Sequence, residues 1–131
     1  MAGMIAIGVG CRKGCTGAAI VRLIRRALTE AGELPGKCEM FTIESKRGEP
    51  NLEDAARSLD LTLHFLAYEL LASQAPRAAT RSARVERQTG LPGVAETAAL
   101  AGAGPGGELI VARMASDGAT CAIAYAAEAT E

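Results

Sequence analysis

A short basic loop near the start of the chain combines residue types that bind anions. It runs Gly8-Val9-Gly10-Cys11-Arg12-Lys13-Gly14 and follows an apolar stretch that begins at Met4. A strand, a tight turn and a helix start in that order bring main-chain N–H groups together, and the helix dipole adds positive potential. The glycines at 8, 10 and 14 would let the main chain approach a ligand closely or take a positive φ. We therefore predict a ligand-binding loop made of Gly10, Cys11, Arg12, Lys13 and Gly14.

The loop matches neither of the common nucleotide-binding signatures. A Walker A loop needs Gly-Lys-Ser/Thr, whereas Lys13 precedes Gly14 and Cys15 follows it. A dinucleotide fingerprint needs glycine where Lys13 stands, and an acidic residue about twenty positions later, which is also missing. Nucleotide binding is therefore disfavoured. The alternative, a tight turn whose basic side chains are simply solvated, stays open.

A second basic loop, Glu44 to Pro50, follows a predicted strand at Glu39 to Ile43. Ligands of open α/β sheets bind outside the carboxyl ends of the parallel strands. The loops after the first two strands, and the segment after Phe65, should therefore share one edge of the sheet. We predict that Lys46 and Arg47 join the first loop there. Such a cluster suits a ligand with several carboxylates, because arginine binds them bidentately and lysine as a point charge.

Cys11, Glu44 and Glu49 are the weak candidates for catalysis. Basic neighbours favour thiolate, so a thiol in the first loop is expected to have a lowered pKa. The two carboxylates either serve in acid/base chemistry or only form surface ion pairs with Lys46 and Arg47. The single histidine, His64, is read as a packed or half-exposed strand residue, and the sequence leaves open whether the protein is an enzyme.

The cysteines and the composition exclude several function classes. Four cysteines without C-x-x-C spacing predict neither a zinc finger nor a disulfide framework, so we expect no metal and no cofactor. Cys38 and Cys121 are expected to be buried, while the spacing of Cys11 and Cys15 leaves a redox or metal pair as an alternative. A net charge of -1 and the absence of tryptophan argue against nucleic-acid binding. Without a membrane-spanning run or a signal-like start, we expect a cytoplasmic protein without a membrane partner.

The hydrophobic pattern predicts a layered α/β fold, in one domain over residues 1–131, with a mixed β-sheet flanked by helices. Predicted strands at 4–9, 39–43 and 61–65 alternate with helices at 18–31, 51–59 and 67–72, the second helix capped by Asn51. A further helix over 92–100, begun by a proline, precedes strands at 109–114 and 119–124. The Asp117-Gly118 step between these strands predicts a C-terminal antiparallel hairpin.

Residues 73–89 carry few large apolar side chains and four arginines, at 77, 81, 84 and 87. Spacings of four, three and three would put these arginines on one side of a helix. The segment is either a solvated surface loop or a basic lid over an anionic ligand.

Four motifs in order resemble the CobE / CbiG C-terminal domain family of cobalamin biosynthesis. They are Gly8 to Gly14, Thr42 to Glu49, Gly90-Leu91-Pro92-Gly93-Val94-Ala95-Glu96 and Ala122-Ile123-Ala124, and they span nearly the whole chain. The chain departs from the family pattern at Cys15, Glu44 and Arg113. By length it is most similar to the stand-alone form of the family.

The resemblance implies work on the corrin-ring precursors of vitamin B12. Longer family members carry extra N-terminal sequence and open a ring δ-lactone with release of acetaldehyde. Two functions follow as hypotheses. The protein binds or carries a corrinoid (precorrin) intermediate, or it is a hydrolase that opens a ring lactone or removes an acyl fragment. A third interpretation is a subunit that docks onto another enzyme of the cobalamin pathway.

Overall fold

The computed structural model describes residues 3–127. Its strands are β1 (Gly3–Cys11), β2 (Gly36–Ile43), β3 (Leu63–Leu66), β4 (Glu108–Ser116) and β5 (Ala119–Ala126). The helices are α1 (Gly17–Ala31), α2 (Pro50–Leu59), α3 (Tyr68–Ala72), α4 (Ala83–Thr89) and α5 (Val94–Ala103), and 3-10 turns lie at Glu44–Lys46 and Ala75–Arg77. Every predicted strand is present, which confirms the layered α/β fold.

The five strands form one mixed sheet in the order β3-β2-β1-β5-β4. β1 pairs in parallel with β2, and β2 pairs in parallel with β3. β5 is antiparallel to both β1 and β4. Asp117 and Gly118, both with positive φ, form the two-residue turn between β4 and β5. The predicted C-terminal hairpin is therefore confirmed, and its turn type is the one that matches the twist of antiparallel strands.

The two faces of the sheet differ in the size of their side chains. Large residues of β1, such as Ile5, Ile7 and Val9, pack against α1 and α2. Helix α5 packs on the opposite face. The residues of β1 and β5 on that face are small: Ala6, Gly8, Ala122 and Ala124. Small side chains let the α5 backbone lie close to the strands.

Each of the four predicted helix starts differs from the observed start by one or two residues. Asn51 was expected to cap α2, but the helix begins at Pro50 with Glu49 as its N-cap residue, because the fixed φ of proline suits the first helical position. α5 begins at Val94 rather than Pro92, with Gly93 as its N-cap residue.

Candidate functional site

The two predicted basic loops lie together at the carboxyl ends of β1 and β2. The Lys46 ammonium donates a hydrogen bond to the main-chain oxygen of Cys11 at 3.0 Å. Arg12 and Lys46 line the same cavity. The expectation that parallel strands bring these loops to one edge is therefore confirmed.

The cavity has a volume of about 270 Å³, and most of its wall is apolar. Its lining comes from both basic loops, from α4, from the start of α5 and from the hairpin: Gly10, Cys11, Arg12, Lys46, Val85, Thr89, Gly93, Val94, Arg113, Gly118 and Thr120. Two hollows of about 330 and 630 Å³ share Arg12 and Arg113 with it. We call the three together the basic cleft.

Main-chain hydrogen bonds fix the first loop in place. The Arg12 N–H donates to the Gly118 oxygen at 2.8 Å, and the Cys15 N–H donates to the Arg12 oxygen at 3.0 Å. The Asn51 amide donates to the Cys15 oxygen at 2.7 Å, and its Oδ1 accepts the N–H of Leu52 at 2.9 Å, so Asn51 joins the loop to the first turn of α2 without being its N-cap residue. Gly14 has φ +90°, as predicted for a turn that other residues adopt only with strain.

Gly8 serves the fold and not a ligand. A Cβ at Gly8 would stand 1.9 Å from the Ala95 oxygen of α5, so the close approach it allows is that of a helix. At Gly10, a Cβ would meet the Thr120 hydroxyl at 2.6 Å, and this residue does line the cavity.

Lys13 and Arg47 lie near the cleft without lining its three parts. The Lys13 side chain is exposed. The Arg47 guanidinium lies 4.7 Å from the centroid of the Phe65 ring, a cation–π distance. Of the four predicted cations, Arg12 and Lys46 are therefore the two that the structure places in the cavity wall.

The expected low pKa of Cys11 was wrong. Burial raises the pKa of the Cys11 thiol above its ordinary value of 9.0, and Glu49 raises it further, although Lys46 and the Asn51 amide lower it. Arg12 and Lys13 extend into solvent and do not offset the burial. A thiol of this kind is mostly protonated at neutral pH and is a poor nucleophile.

The two candidate carboxylates do not form the expected ion pairs. Within residues 3–127, neither Glu44 nor Glu49 lies within 4.0 Å of a basic group. Lys46 instead bonds to a main-chain oxygen, and Arg47 stacks on an aromatic ring. Glu49 is half-buried near Cys11, whereas Glu44 is exposed.

Arg113 is a cleft residue that sequence reasoning noted only as a departure from a family pattern. The pairing of β4 with β5 shifts between Val111 and Met114, because three steps along β4 match two along β5. Val111 and Met114 both pack on the α1 side despite this odd spacing. Such a bulge redirects side chains, and it brings Arg113 to the cleft.

The arginine-rich segment supplies one further cation to the cleft. α4 forms part of its wall, and Arg84 lines the larger hollow. Arg77 instead bonds to the Gly107 oxygen, and Arg81 pairs with Glu86 at 2.6 Å. Because only 83–89 is α-helical, the four arginines do not share one helix face.

Glu96 is a second residue that the sequence did not single out for a site. It is 3% exposed, and its carboxylate accepts the N–H of Thr80 at 2.8 Å and that of Arg113 at 2.9 Å. Helix α5 is apolar nearly all round, so one glutamate in it carries no periodic signal. Its partners lie sixteen and seventeen residues away in the chain.

His64 is half-exposed on β3, as predicted, and lies outside the basic cleft. Its Nε2 is 2.8 Å from Glu39 Oε1, and its ring stacks on Phe41 with centroids 4.8 Å apart. Burial alone would raise the pKa of Glu39, but the hydrogen bonds from His64 and Lys37 outweigh it and hold that pKa below its ordinary value.

The cysteines form no disulfide bond among residues 3–127. All four cysteines are free thiols, Cys121 is fully buried, and Cys38 is half-buried. Among residues 3–127, no group of three or more His, Cys, Asp or Glu side chains is arranged to hold a metal ion. In the same part of the chain, no helix has both the length and the apolar character needed to cross a bilayer.

Several known proteins are similar to this chain in sequence and in fold. Residues 5–124 match the family model Cobalamin synthesis G C-terminus. Protein CobE of Sinorhizobium sp is 36% identical over 124 residues, which cover 94% of this chain and 80% of that protein.

Two solved structures are similar over most of their length. The crystal structure of CobE, a protein from the cobalamin (vitamin B12) biosynthetic pathway, has a TM-score of 0.84 and 36% identity, covering 96% of this chain and 93% of that one. Cobalamin biosynthesis protein chiG from Agrobacterium tumefaciens str. C58 has a TM-score of 0.70 and 32% identity, covering 95% and 99%. The chain therefore belongs to the Cobalamin synthesis G C-terminus family and is a cobalamin biosynthesis protein.

Proposed function

We propose that this protein binds or carries a corrinoid (precorrin) intermediate of cobalamin biosynthesis in the basic cleft. The observation that supports it most is the set of cations that three separate elements bring to one place. Arg12, Lys46 and Arg113 line the cavity, and within residues 3–127 none of them has a carboxylate within 4.0 Å. These charges are available to an anionic ligand.

The chemistry of the cleft suits this class of ligand. Corrin precursors carry acetate and propionate groups around an apolar ring. Cations at the rim can bind the carboxylates, and the mostly apolar wall with Val85 and Val94 can contact the ring. The start of α5 also lies here, so its dipole adds positive potential. Lys13 and Arg47, near the same edge, are proposed to bind carboxylates that extend beyond the cavity.

Among residues 3–127, one acidic side chain lines the cleft, and the buried Glu96 lies behind its wall, where it accepts two main-chain N–H groups. Asp117 lines the smaller hollow and lies 3.8 Å from Arg22. Glu49 is close to Cys11. Four cations, counting Arg84, thus face the cleft against one lining carboxylate.

Binding is tested with cobyrinic acid, a corrin that has free side-chain carboxylates, and with its fully methylated ester. We expect the acid to bind, with a change in the visible spectrum of the corrin, and the ester to bind much more weakly. Arg12→Ala and Lys46→Ala should each weaken binding of the acid by about ten- to one-hundredfold, as the loss of a charged hydrogen bond predicts. Arg26→Ala, which removes an exposed charge from α1, is the matched control.

Equal affinity for acid and ester, or unchanged affinity in both cleft variants, would contradict this function. Raised salt should weaken binding of the acid, because part of the attraction is between exposed charges.

The hydrolase alternative remains as a second function for the same site, with Cys11 or a water activated by Glu44 or Glu49 as nucleophile and the loop amides as an oxyanion site. The raised pKa of Cys11 weighs against its use as a nucleophile. Mass spectrometry after incubation with a lactone-bearing precorrin distinguishes the two functions. An unchanged ligand mass supports the carrier, and loss of a small fragment supports the hydrolase.

If the wild-type protein neither binds nor converts the corrin, the docking interpretation replaces both, with a partner enzyme of the cobalamin pathway. We propose the cytoplasm as the location, because four free thiols are usual in a reducing compartment.

A further inference from the structure

Glu96 is a buried carboxylate whose partners are two main-chain N–H groups. Its Oε1 accepts from Thr80 and its Oε2 from Arg113, at 2.8 and 2.9 Å. Within residues 3–127, no basic side chain lies within 4.0 Å of it. Burying an acidic group without a cation is costly, and hydrogen bonds to both oxygens offset that cost. A buried carboxylate with no cation beside it therefore calls for a reason beyond packing.

The two N–H groups belong to two different walls of the cleft, the segment before α4 and strand β4. Thr80 lies just before α4, which carries Arg84. Arg113 lies in the bulge of β4, where the regular ladder is interrupted. One side chain on α5 therefore holds both the α4 segment and the bulge at a fixed distance from each other.

Three guanidinium groups face the larger hollow: Arg12, Arg84 and Arg113. Arg12 is held separately, by the bond from its N–H to the Gly118 oxygen. The Arg113 main chain is held by Glu96, and the segment that leads into the helix of Arg84 is held by Glu96 at Thr80 and by the bond from the Ser82 N–H to the Pro92 oxygen at 3.2 Å. Because guanidinium groups bind carboxylates in a fixed planar geometry, their spacing decides which carboxylates one ligand can present to them together.

We propose that Glu96 is a positioning residue that sets the spacing of Arg84 and Arg113 relative to Arg12, so that the larger hollow recognises several carboxylates of one ligand at once. This inference rests on the proposed function and deepens it. It assigns the ligand to polycarboxylated rings, and it predicts that affinity depends on Glu96 although Glu96 does not line the cleft.

The test is a double-mutant cycle with cobyrinic acid, measured well below the unfolding temperature of every variant. Glu96→Gln keeps the shape of the side chain but turns an acceptor into a donor that faces an N–H group. We expect it to weaken binding about tenfold. In an Arg113→Ala background, and likewise in an Arg84→Ala background, the same change should weaken binding by less than it does in wild type, because Glu96 acts through both guanidinium groups. A purely structural role would lower the unfolding temperature without this coupling.

Glu39→Gln is the matched control, since Glu39 is the other buried glutamate among residues 3–127 and does not line the cleft. It should leave affinity unchanged. Hydrogen exchange gives a readout that needs no ligand: the amides of Thr80 and Arg113 should exchange faster in Glu96→Gln than in wild type. If Glu96→Gln does not fold, Glu96→Asp is used, which keeps the charge but shortens the reach, and the same loss of affinity is expected.

The outcomes separate this inference from the function on which it rests. If wild type fails to bind cobyrinic acid, the proposed function is overturned and this inference with it. If wild type binds but Glu96→Gln binds equally well, or its loss of affinity is the same in wild type and in both arginine backgrounds, only the role of Glu96 is overturned.

Discussion

Replacing Gly8 by alanine should strongly destabilise the fold by pushing α5 off the sheet. The new Cβ would stand 1.9 Å from the Ala95 oxygen and 2.6 Å from the Ala99 nitrogen. Ordinary contact needs at least 3.4 Å, so the helix must move by about 1.5 Å. The obstacles are backbone atoms of a helix, so no side-chain rotation relieves the clash. Overpacking a core costs about 1–3 kcal/mol, and we expect the upper end.

A loss of about 3 kcal/mol should lower the midpoint of thermal unfolding by about 10 °C in a domain of this size. Circular dichroism at increasing temperature measures it. Gly93→Ala is the control without a clash, because a Cβ there meets nothing within 4 Å and its φ of 170° is open to any residue; as the N-cap residue of α5 it carries only a capping loss of about 1 kcal/mol. If Gly8→Ala melts within about 2 °C of this control, the account of α5 packing is wrong.

Three further predictions concern single side chains. Thr42→Val should lower the free energy of unfolding, measured by urea denaturation, by about 1–2 kcal/mol, because the buried Thr42 hydroxyl donates to the Val9 oxygen at 2.7 Å. Thr42→Ser keeps the hydroxyl and should retain most of this stability. The lowered pKa of Glu39 contributes stability above its ordinary value of 4.5 that is lost as pH falls. Glu39→Gln should therefore have a lower free energy of unfolding than wild type near neutral pH, and that free energy should fall less steeply than in wild type as the pH is lowered. The same slope in both proteins would contradict the His64–Glu39 interaction. The raised pKa of Cys11 predicts slower alkylation by iodoacetamide at pH 7 than that of a free thiol, with a rate that rises as the pH approaches 9.0 and above; a fast reaction at pH 7 would refute it.

The sequence predicted those parts of the fold that local patterns encode. The apolar run at β1, the helical spacing of α1 and the Asp117-Gly118 turn each require only neighbouring residues to be recognised. The shared edge of the first two loops followed from the general rule for parallel strands. Arg12 and Lys46 could therefore be expected at one edge of the sheet.

The remaining site residues depend on tertiary contacts that a local pattern does not contain. Arg113 reaches the cleft because a bulge adds one residue to β4, and nothing near it in sequence marks the bulge. Glu96 lies in an apolar helix, and its partners are remote in the chain. Cys11 was expected to be activated by adjacent cations, but those side chains extend into solvent, so burial decides its pKa.

The small residues of the sheet and the cations of the cleft are linked through α5. Gly8 and its alanine neighbours let that helix lie against β1 and β5. With α5 at that depth, its Glu96 accepts the main-chain N–H groups of Thr80 and of Arg113 together, at 2.8 and 2.9 Å. A hydrogen bond weakens steeply when its atoms move apart by half an ångström or so, so the packing of α5 controls the position of two walls of the cleft. Under the proposed function, the glycine-rich motif contributes to the cleft in two ways: Gly10 lines the cavity beside Arg12, and Gly8 lets the helix that carries Glu96 lie close to β1.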